Sequence, residues 1–390
     1  MAKILLIAPV PTHPSSTGAS ARVRHMAEGL LALGHEVHFL HLQQSLRNDD
    51  TAMHRFWSDR LHVFRSLSPA SFVGRGRRKA VRIVGQTLHL NLPVDSYFDP
   101  EAARHVKVLL DSSGFDVAIL SYVFYSRLFE SAPPTVRKLI DTHDVFSDRF
   151  RLYRDHGQAN EFFSTDRAGE KKALDRADAV LAIQEWDAKH FRSLTIKPVA
   201  VVGHLAPVIE VGPPGVDTSA NGILFVGGPM GINVHGVTWF IDEVLPLVRR
   251  QVPEAELWLV GGIGGRIGGR LSNVQRFGFV DSVGDIYRRA AVVINPQQFG
   301  TGLSIKSVDA LLHGRPLVTT SSGARGLEDA ANVAYRMADS AEDFARMLVE
   351  LLRDQGLRAA LAGRSLEFAH AYYTRNLQAL ADVVTTSTAR

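Results

Sequence analysis

The sequence predicts an α/β protein built from two doubly wound halves, and three observations predict it. Short apolar runs recur along the chain: KILLIA (Lys3 to Ala8), DVAILS (Asp116 to Ser121), KLIDT (Lys138 to Thr142), GILFV (Gly222 to Val226) and AVVI (Ala291 to Ile294). Each has the length of a strand buried on both faces. Segments with helical spacing alternate with these runs, as in a parallel sheet wrapped by crossover helices. The pattern fades once, over Ala206 to Asn221 (APVIEVGPPGVDTSAN), and then starts again.

Composition narrows the function. The chain has 390 residues, 45% hydrophobic and 22% charged, enough for two domains with sizeable cores. No run of about 18 apolar residues offers a transmembrane helix. The first strand begins at Lys3 with no signal-peptide shape before it, and cysteine is absent, so disulfides and cysteine-held metals are excluded. Both features fit a cytoplasmic protein. The formal net charge of +4 suits an anionic ligand or an anionic membrane face and is too small to argue for nucleic acid.

In the first half, the loop Pro9 to Gly18 (PVPTHPSSTG) follows the strand Lys3 to Ala8. Ala19 to Leu33 is a helix stopped at Gly34-His35, and Glu36 to Leu42 is the second strand. The loop lies at a strand's carboxyl end, where open α/β sheets bind ligands. It lacks Gly-x-Gly-x-x-Gly, which argues against a nicotinamide cofactor. Arg22 and Arg24 can face an anion there, although a solvated side chain is the plainer reading of either one. Arg60 to Phe64 is a third strand. Arg75, Arg77, Arg78, Lys79 and Arg82 then crowd the start of the stretch 74–92. This partly amphipathic segment can rest on an anionic membrane or be a helix with a solvated basic end. The strand Lys138 to Thr142 leads into His143 and Asp144, placing both at a carboxyl end. A lone histidine there is more often a packing or hydrogen-bonding residue than a catalyst. Asn160 to Arg176 reads as a charged helix, Ala177 to Ile183 as a strand, Trp186 to Leu194 as a helix and Val199 to Val202 as a strand.

The domains follow as 1–205, a linker 206–221, 222–365, and a terminal helix 366–390 that packs back toward the first domain. In the second half, Gly222 to Val226 is a strand and Gly227-Gly228-Pro229 a turn. Val234 to Gln251 is a helix with Trp239, Phe240, Val244, Leu247 and Val248 at core spacing. Glu256 to Val260 is a strand. Gly261 to Gly269 (GGIGGRIGG) misses the dinucleotide fingerprint, because Ile267 stands where the third glycine is required. Val274 to Phe277 is a strand, Val283 to Arg289 a helix and Asn332 to Tyr335 the last strand. Ala341 to Arg353 and Gly356 to Val384 are helical.

The richest stretch is Ala291 to Thr320. A strand leads to the loop Gln297 to Gly302, with glycines at 300 and 302. The helix Leu303 to His313 follows, closed by Gly314, and then the strand Pro316 to Thr319. A helix start offers backbone N–H groups and a positive dipole end to a phosphate, and glycines let the backbone come close. Lys306 and Asp309 are one helical turn apart, so both can face the same ligand. The carboxylate can chelate a ribose diol while the amides and Lys306 hold a diphosphate. An ordinary βαβ crossover with a surface Lys306–Asp309 pair fits the spacing equally well. Two facing Rossmann-like halves place ligands between them.

Five stretches carry a resemblance that spans essentially the whole chain. They are the Gly18 loop with Gly34-His35-Glu36-Val37, Ile140-Asp141-Thr142-His143-Asp144, Phe225-Val226-Gly227-Gly228 with Asn233, and Phe277-Gly278-Phe279-Val280. The most specific is Gly300-x-Gly302-x-x-x-Lys306-x-x-Asp309-Ala310, followed by Gly314-Arg315-Pro316-Leu317-Val318. Together they resemble the retaining glycosyltransferases of family 4, which have the two-domain GT-B fold.

The resemblance implies transfer of a sugar from a nucleotide-diphosphate donor to a hydroxyl acceptor, with retention at the anomeric carbon and with no metal or other cofactor. Asp309 takes the place of the second glutamate of the Glu-x7-Glu motif and binds ribose. Lys306 balances phosphate charge, and the amides of Gly300, Thr301, Gly302 and Leu303 hold the diphosphate. Gly227, Gly228, Phe279 and Val280 complete the donor side. His143 contacts the transferring sugar, and Gly18 and Arg22 form an acceptor or phosphate loop. The chain departs from the family pattern in three ways. Thr301 stands at the first motif glutamate, Asp309 is shorter by one methylene, and GGPMGINVHG lacks the Arg and Lys often found after the second domain's first strand. Thr301 keeps open a non-catalytic partner of a glycosyltransferase complex, against which the intact Lys306 and Asp309 argue. A GT-B sugar-nucleotide epimerase is the other alternative. The acceptor is a glycan, a lipid-linked saccharide or a protein, and the basic stretch 74–92 tilts toward a membrane-associated one. The expected location is cytoplasmic, or peripheral on the inner face of the membrane.

Overall fold

A computed structural model describes residues 1–43, 50–65, 90–209, 221–269, 271–280 and 282–386, together with Gly76, Ala80, Ile83, Gly85, Thr87 and Leu88. Arg75, Arg77, Arg78, Lys79 and Arg82 of the basic stretch lie outside the described residues, as do residues 210–220 of the linker. The chain divides into unit 1, residues 1–205 with 376–390, and unit 2, residues 206–375.

Unit 1 holds a seven-stranded sheet of β1 (Lys3–Ala8), β2 (Glu36–Gln43), β3 (Leu61–Arg65), β4 (Val117–Ser121), β5 (Arg137–Asp141), β6 (Ala179–Ala182) and β7 (Val199–Val201). The order is β3-β2-β1-β4-β5-β6-β7, with every pair parallel. The described helices are α1 (Gly18–Ala32), α2 (Thr51–Trp57), α3 (Pro100–Ser112), α4 (Arg149–Asp155), α5 (Arg167–Leu174) and α6 (Glu185–Arg192). The pleat of β1 sends Leu5 and Ile7 into one core and Ile4, Leu6 and Ala8 into the other. Both faces are covered, which is why these strands read as unbroken apolar runs. Strand order reverses between the neighbours β1 and β4, so the loop after β1 sits at the switch point of the sheet. Thr17 starts α1 by accepting from Ser20 N at 3.1 Å, while Ser20 Oγ accepts from Thr17 N at 2.9 Å. Gly34, at φ 80°, ends that helix turn.

Unit 2 holds β8 (Gly222–Val226), β9 (Glu256–Val260), β10 (Val274–Gly278), β11 (Val292–Asn295), β12 (Leu317–Thr319) and β13 (Arg336–Met337), in the order β10-β9-β8-β11-β12-β13. All pairs are again parallel. Its helices are α7 (Gly231–Trp239), α8 (Leu245–Gln251), α9 (Val283–Arg289), α10 (Ile305–Leu312), α11 (Ala341–Arg353) and α12 (Gln355–Thr385). Residues of α12 from Asn376 onward belong to unit 1. There Arg137 donates to Val383 O and, at 3.3 Å, to Val384 O, a cation on the carbonyl end of the helix.

Several elements differ from the sequence reading. The helix expected over Asn160 to Arg176 begins only at Arg167, because Asp166 is its N-cap and accepts from Gly169 N at 2.6 Å. The helix over Val234 to Gln251 is α7 and α8 joined by a π-turn over Phe240–Val244. Pro246 lacks an N–H, and the wider turn falls immediately ahead of the helix it begins. The last strand is Arg336–Met337 and not Asn332 to Tyr335, since Asn332 adopts φ 57° in a turn. The helix read over Gly356 to Val384 is α12, Gln355–Thr385. Helices α2, α3 and α4 were not read from the sequence. Among the described residues no helix is long and apolar enough to cross a membrane.

Candidate functional site

In unit 2 the parallel strands bring the turns after β8, β9, β10 and β11 to one edge of the sheet. β11 closes with Asn295, a fully buried polar residue on an apolar strand. Its Nδ2 donates to Ser304 Oγ and Ser307 Oγ, both at 2.8 Å, and to Gly323 O at 3.2 Å. These bonds fold the loop 296–304 back over the strand end. Gly300 and Gly302 have φ of 147° and 72°, regions that favour glycine. A Cβ at 300 would lie 2.5 Å from Gln297 Nε2 and 2.9 Å from Ile232 Cδ1. Ser304 is the N-cap of α10 but makes no side-chain capping bond, so its own hydroxyl does not close the helix start.

The neighbouring turns are tied to this loop's surroundings. Gly227 N donates to Val260 O at 2.9 Å, and Gly227 O accepts from Ile263 N at 3.2 Å. Gly261 N donates to Gly278 O at 2.6 Å. Asn233 Nδ2 donates to Gly228 O at 3.0 Å. Gly236 lets α7 come so near that a Cβ there would be 2.6 Å from Pro296 O. Phe279, just past β10, is 79% exposed, and Val280 beside it is half-buried.

Lys306 and Asp309 stand on the first turns of α10, both half-buried. Each is surrounded by protein yet still meets solvent. Lys306 Nζ donates to Gln297 Oε1 at 3.3 Å and lies 5.9 Å from the Phe225 ring centre. Burial lowers the Lys306 pKa to about 8, with Asp309 opposing the shift. Burial raises the Asp309 pKa to about 7, with Lys306 opposing. Both groups therefore sit near the edge of charging at neutral pH, the state in which a ligand has most influence. Burial and Asp309 also push the Tyr287 phenol well up, and Tyr287 stacks on His313 at 4.2 Å. His313 Nδ1 donates to Asp309 O at 2.7 Å, which holds the end of the same helix.

In unit 1 a second polar centre forms at the end of β5. Asp141 is fully buried and accepts from Arg22 Nε at 3.0 Å on each oxygen and from Arg22 Nη2 at 2.5 Å. Arg22 also donates to Gly203 O at 3.1 Å and Val202 O at 3.0 Å. His143 Nε2 lies 3.0 Å from Asp141 Oδ2, and its ring stacks on Tyr122 at 4.1 Å. Burial alone would raise the Asp141 pKa, but Arg22 and then His143 overcome it and hold the carboxyl far below its usual range. His143 and Tyr122 have φ of 62° and 73°, left-handed conformations that cost energy in side-chain-bearing residues. Asp144 pairs with Arg149. Buried Glu170 accepts from Phe146 N at 2.7 Å and contacts His190 Nε2 at 3.0 Å, fixing the turn that follows.

The structure thus brings Gly300, Thr301, Gly302, Leu303, Lys306 and Asp309 together, with Gly227 and Gly228 on a neighbouring turn of the same sheet edge. It changes the role of Arg22. That side chain is 2% exposed and committed to Asp141 and two carbonyls, so it does not face an anion; Gly18 remains exposed at the start of α1. Asn295, Ser307, Tyr122 and Arg325, whose guanidinium donates to Gly300 O, were missed, and Asp141 and Gln297 were named only inside longer stretches without a role. Asn295 and Asp141 carry one readable signal: a polar residue ending an apolar parallel strand lies at the sheet's carboxyl edge. Among the described residues no three His, Asp or Glu side chains gather as a metal site would.

The family model described as "Glycosyl transferases group 1" matches residues 220–354, and the one described as "Glycosyl transferase 4-like domain" matches residues 17–203. Sucrose-phosphate synthase of Thermosynechococcus elongatus superposes with a TM-score of 0.71 at 15% identity, covering 98% of both chains. TarM of S. aureus, solved with UDP and alpha-GlcNAc-glycerol among its ligands, gives 0.72 at 9% identity over 99% of this chain and 100% of that one. HepE of Anabaena, solved with UDP, gives 0.65 at 13% identity over 99% and 100%. At these identities the likeness shows the fold, GT-B. An uncharacterized 44.6 kDa protein in the cps region of Klebsiella pneumoniae is 28% identical over 116 residues, covering 27% of this chain and 30% of that protein's length.

Proposed function

The chain belongs to the glycosyl transferases of group 1, and we propose that it moves a sugar from a nucleoside-diphosphate donor to a hydroxyl acceptor with retention at the anomeric carbon. The observation that carries this reading is the convergence of Lys306, Asp309 and the left-handed glycine loop at the start of α10. The Asp309 carboxylate accepts from the ribose hydroxyls. Lys306 and the backbone of residues 300–303 balance the diphosphate, whose charge grows as it leaves. Exposed Phe279 offers a face to the base, and Gly227 and Gly228 let the chain approach the phosphates. His143 contacts the transferring sugar, and the loop Pro9 to Gly18 belongs to the acceptor side.

In this reading the bond from the anomeric carbon to the diphosphate oxygen breaks while the acceptor oxygen bonds to the same face. The acceptor proton passes to the departing diphosphate. With Lys306 in the charge-balancing role we propose that no divalent metal is needed, so chelation with EDTA leaves turnover unchanged. TarM and HepE were solved with UDP, which makes uridine donors the first to try. We place the reaction in glycan, polysaccharide or glycoconjugate biosynthesis, in the cytoplasm or at the inner membrane face, with a glycan, lipid-linked or protein acceptor.

The test is turnover of labelled nucleotide sugars by the purified chain with saccharide and lipid-linked acceptors. Transfer is expected, with Asp309→Ala slower by about 10²-fold, the scale of one lost electrostatic contact. An inverted anomeric centre in the product would sink the retaining assignment. Thr301 in place of the motif glutamate favours one second reading, a non-catalytic partner of a glycosyltransferase complex. That reading gains ground if no donor is turned over while donor binding persists. Conversion of a nucleotide sugar without any acceptor would instead indicate an epimerase.

A further inference from the structure

We infer that Arg325 is a positioning residue for the diphosphate cradle, acting by fixing the peptide plane between Gly300 and Thr301. The inference rests on the donor reading above. Arg325 lies beyond β12, and its Nη1 donates to Gly300 O at 2.5 Å. A peptide unit is planar and trans, so the carbonyl of Gly300 and the amide of Thr301 point in opposite directions. Holding the carbonyl toward Arg325 aims the Thr301 N–H the other way. Glycine at φ 147° has no side chain to bias its own torsions, so this orientation has to be imposed from outside.

The surroundings are built to impose it. Thr320 Oγ1 donates to Gln297 O, and Gln297 Oε1 accepts from Lys306 Nζ at 3.3 Å, which seats the first half of the loop. Asn295 Nδ2 seats the second half through Ser304 Oγ at 2.8 Å. Neither anchor reaches the Gly300 carbonyl between them; Arg325 does. Arg325 is itself carried on a tight turn, with Ala324 N donating to Thr320 O at 3.0 Å and Leu327 N to Ala324 O at 2.9 Å. The same Thr320 thus anchors both the glycine loop and the turn that presents the guanidinium. The side chain also brings a permanent positive charge to a loop whose other nearby cation, Lys306, has its pKa lowered to about 8 by burial. This partly makes good the Arg and Lys absent after β8.

The test uses the full chain and UDP, GDP and dTDP as probes, by calorimetry, with Arg325→Ala, Arg325→Gln and Arg325→Lys. Arg325→Ala should weaken the diphosphate that binds by about 10- to 100-fold, the range for a bond to a charged donor. Its thermal unfolding midpoint should stay close to wild type. Arg325→Gln keeps an N–H donor without the charge, so positioning predicts that it retains clearly more affinity than the alanine variant. If glutamine is as poor as alanine while lysine recovers, the residue acts by charge and the positioning inference is overturned. Wild-type affinity in Arg325→Ala overturns it as well. If the alanine variant does not fold, the glutamine and lysine variants carry the comparison. Should the wild-type chain bind none of the three diphosphates, it is the donor reading that has failed, a result distinct from any pattern among the variants.

Discussion

Donor binding should be bell-shaped in pH, with its top between about 7 and about 8. Asp309 must be ionised to accept from ribose hydroxyls, and its pKa is raised to about 7 by burial, so it is charged only above that value. Lys306 must be protonated to balance phosphate, and its pKa is lowered to about 8 by burial, so it is charged only below that value. Apparent affinity scales with the fraction of molecules holding both charges. Those two values make that fraction greatest near pH 7.5 and roughly sixfold smaller at pH 6 and at pH 9. Binding on the acid side expels a proton from Asp309, and binding on the alkaline side draws one onto Lys306. Calorimetry of UDP in two buffers of different ionisation heat therefore reads a proton count that changes sign across the optimum. A terminal phosphate titrates near pH 6 on its own account, so Asp309→Asn supplies the baseline: it should lose the acid limb due to the protein and keep the alkaline one. A profile that is flat from pH 6 to 9, or an acid limb identical in wild type and Asp309→Asn, would refute the reasoning.

Three other expectations come from the same geometry. Asp141→Asn leaves the buried Arg22 guanidinium without its counter-charge and should destabilise unit 1 by about 3–5 kcal/mol, read as faster hydrogen exchange in β5, whereas Arg22→Met with Asp141→Leu should recover most of it. The Asp141 carboxyl is held low in the fold, so the pair's contribution is fully present above about pH 4 and is lost only as pH falls through the far lower folded value. Gly300→Ala meets Gln297 Nε2 at 2.5 Å and a backbone angle costing about 1–3 kcal/mol, so diphosphate affinity should fall more than tenfold; unchanged affinity would mean the loop is not the cradle. His143→Ala should lower turnover by about 10²-fold with UDP affinity nearly constant, and an equal loss in both would remove His143 from the sugar's side.

The parallel sheets were legible because strands buried on both faces leave continuous apolar runs. KILLIA and GILFV became β1 and β8 with both cores covered. The grouping of the glycine loop with Lys306 and Asp309 was legible for a related reason: Gly300, Gly302, Lys306 and Asp309 lie within ten residues, so helical spacing puts them at one helix start, although it does not tell a ligand site from an ordinary crossover. What stayed hidden joins residues far apart in the chain. Arg22 meets Asp141 across 119 positions and Arg325 meets Gly300 across 25, and no local pattern announces either contact. Arg22 looked like a free cation at a helix start, yet the sheet brings a buried carboxylate to it. The positive φ at Tyr122 is equally silent, since tyrosine does not favour it. Helix ends were misjudged where one side chain decides them, as Asp166 does for α5.

The most direct test of the central claim is calorimetric titration of the purified chain with UDP, GDP, dTDP and NAD, with Asp309→Ala alongside. The account predicts that a nucleoside diphosphate binds, that NAD does not, and that Asp309→Ala weakens the diphosphate by more than about tenfold. Binding of none of the diphosphates, or equal binding by Asp309→Ala, would contradict it.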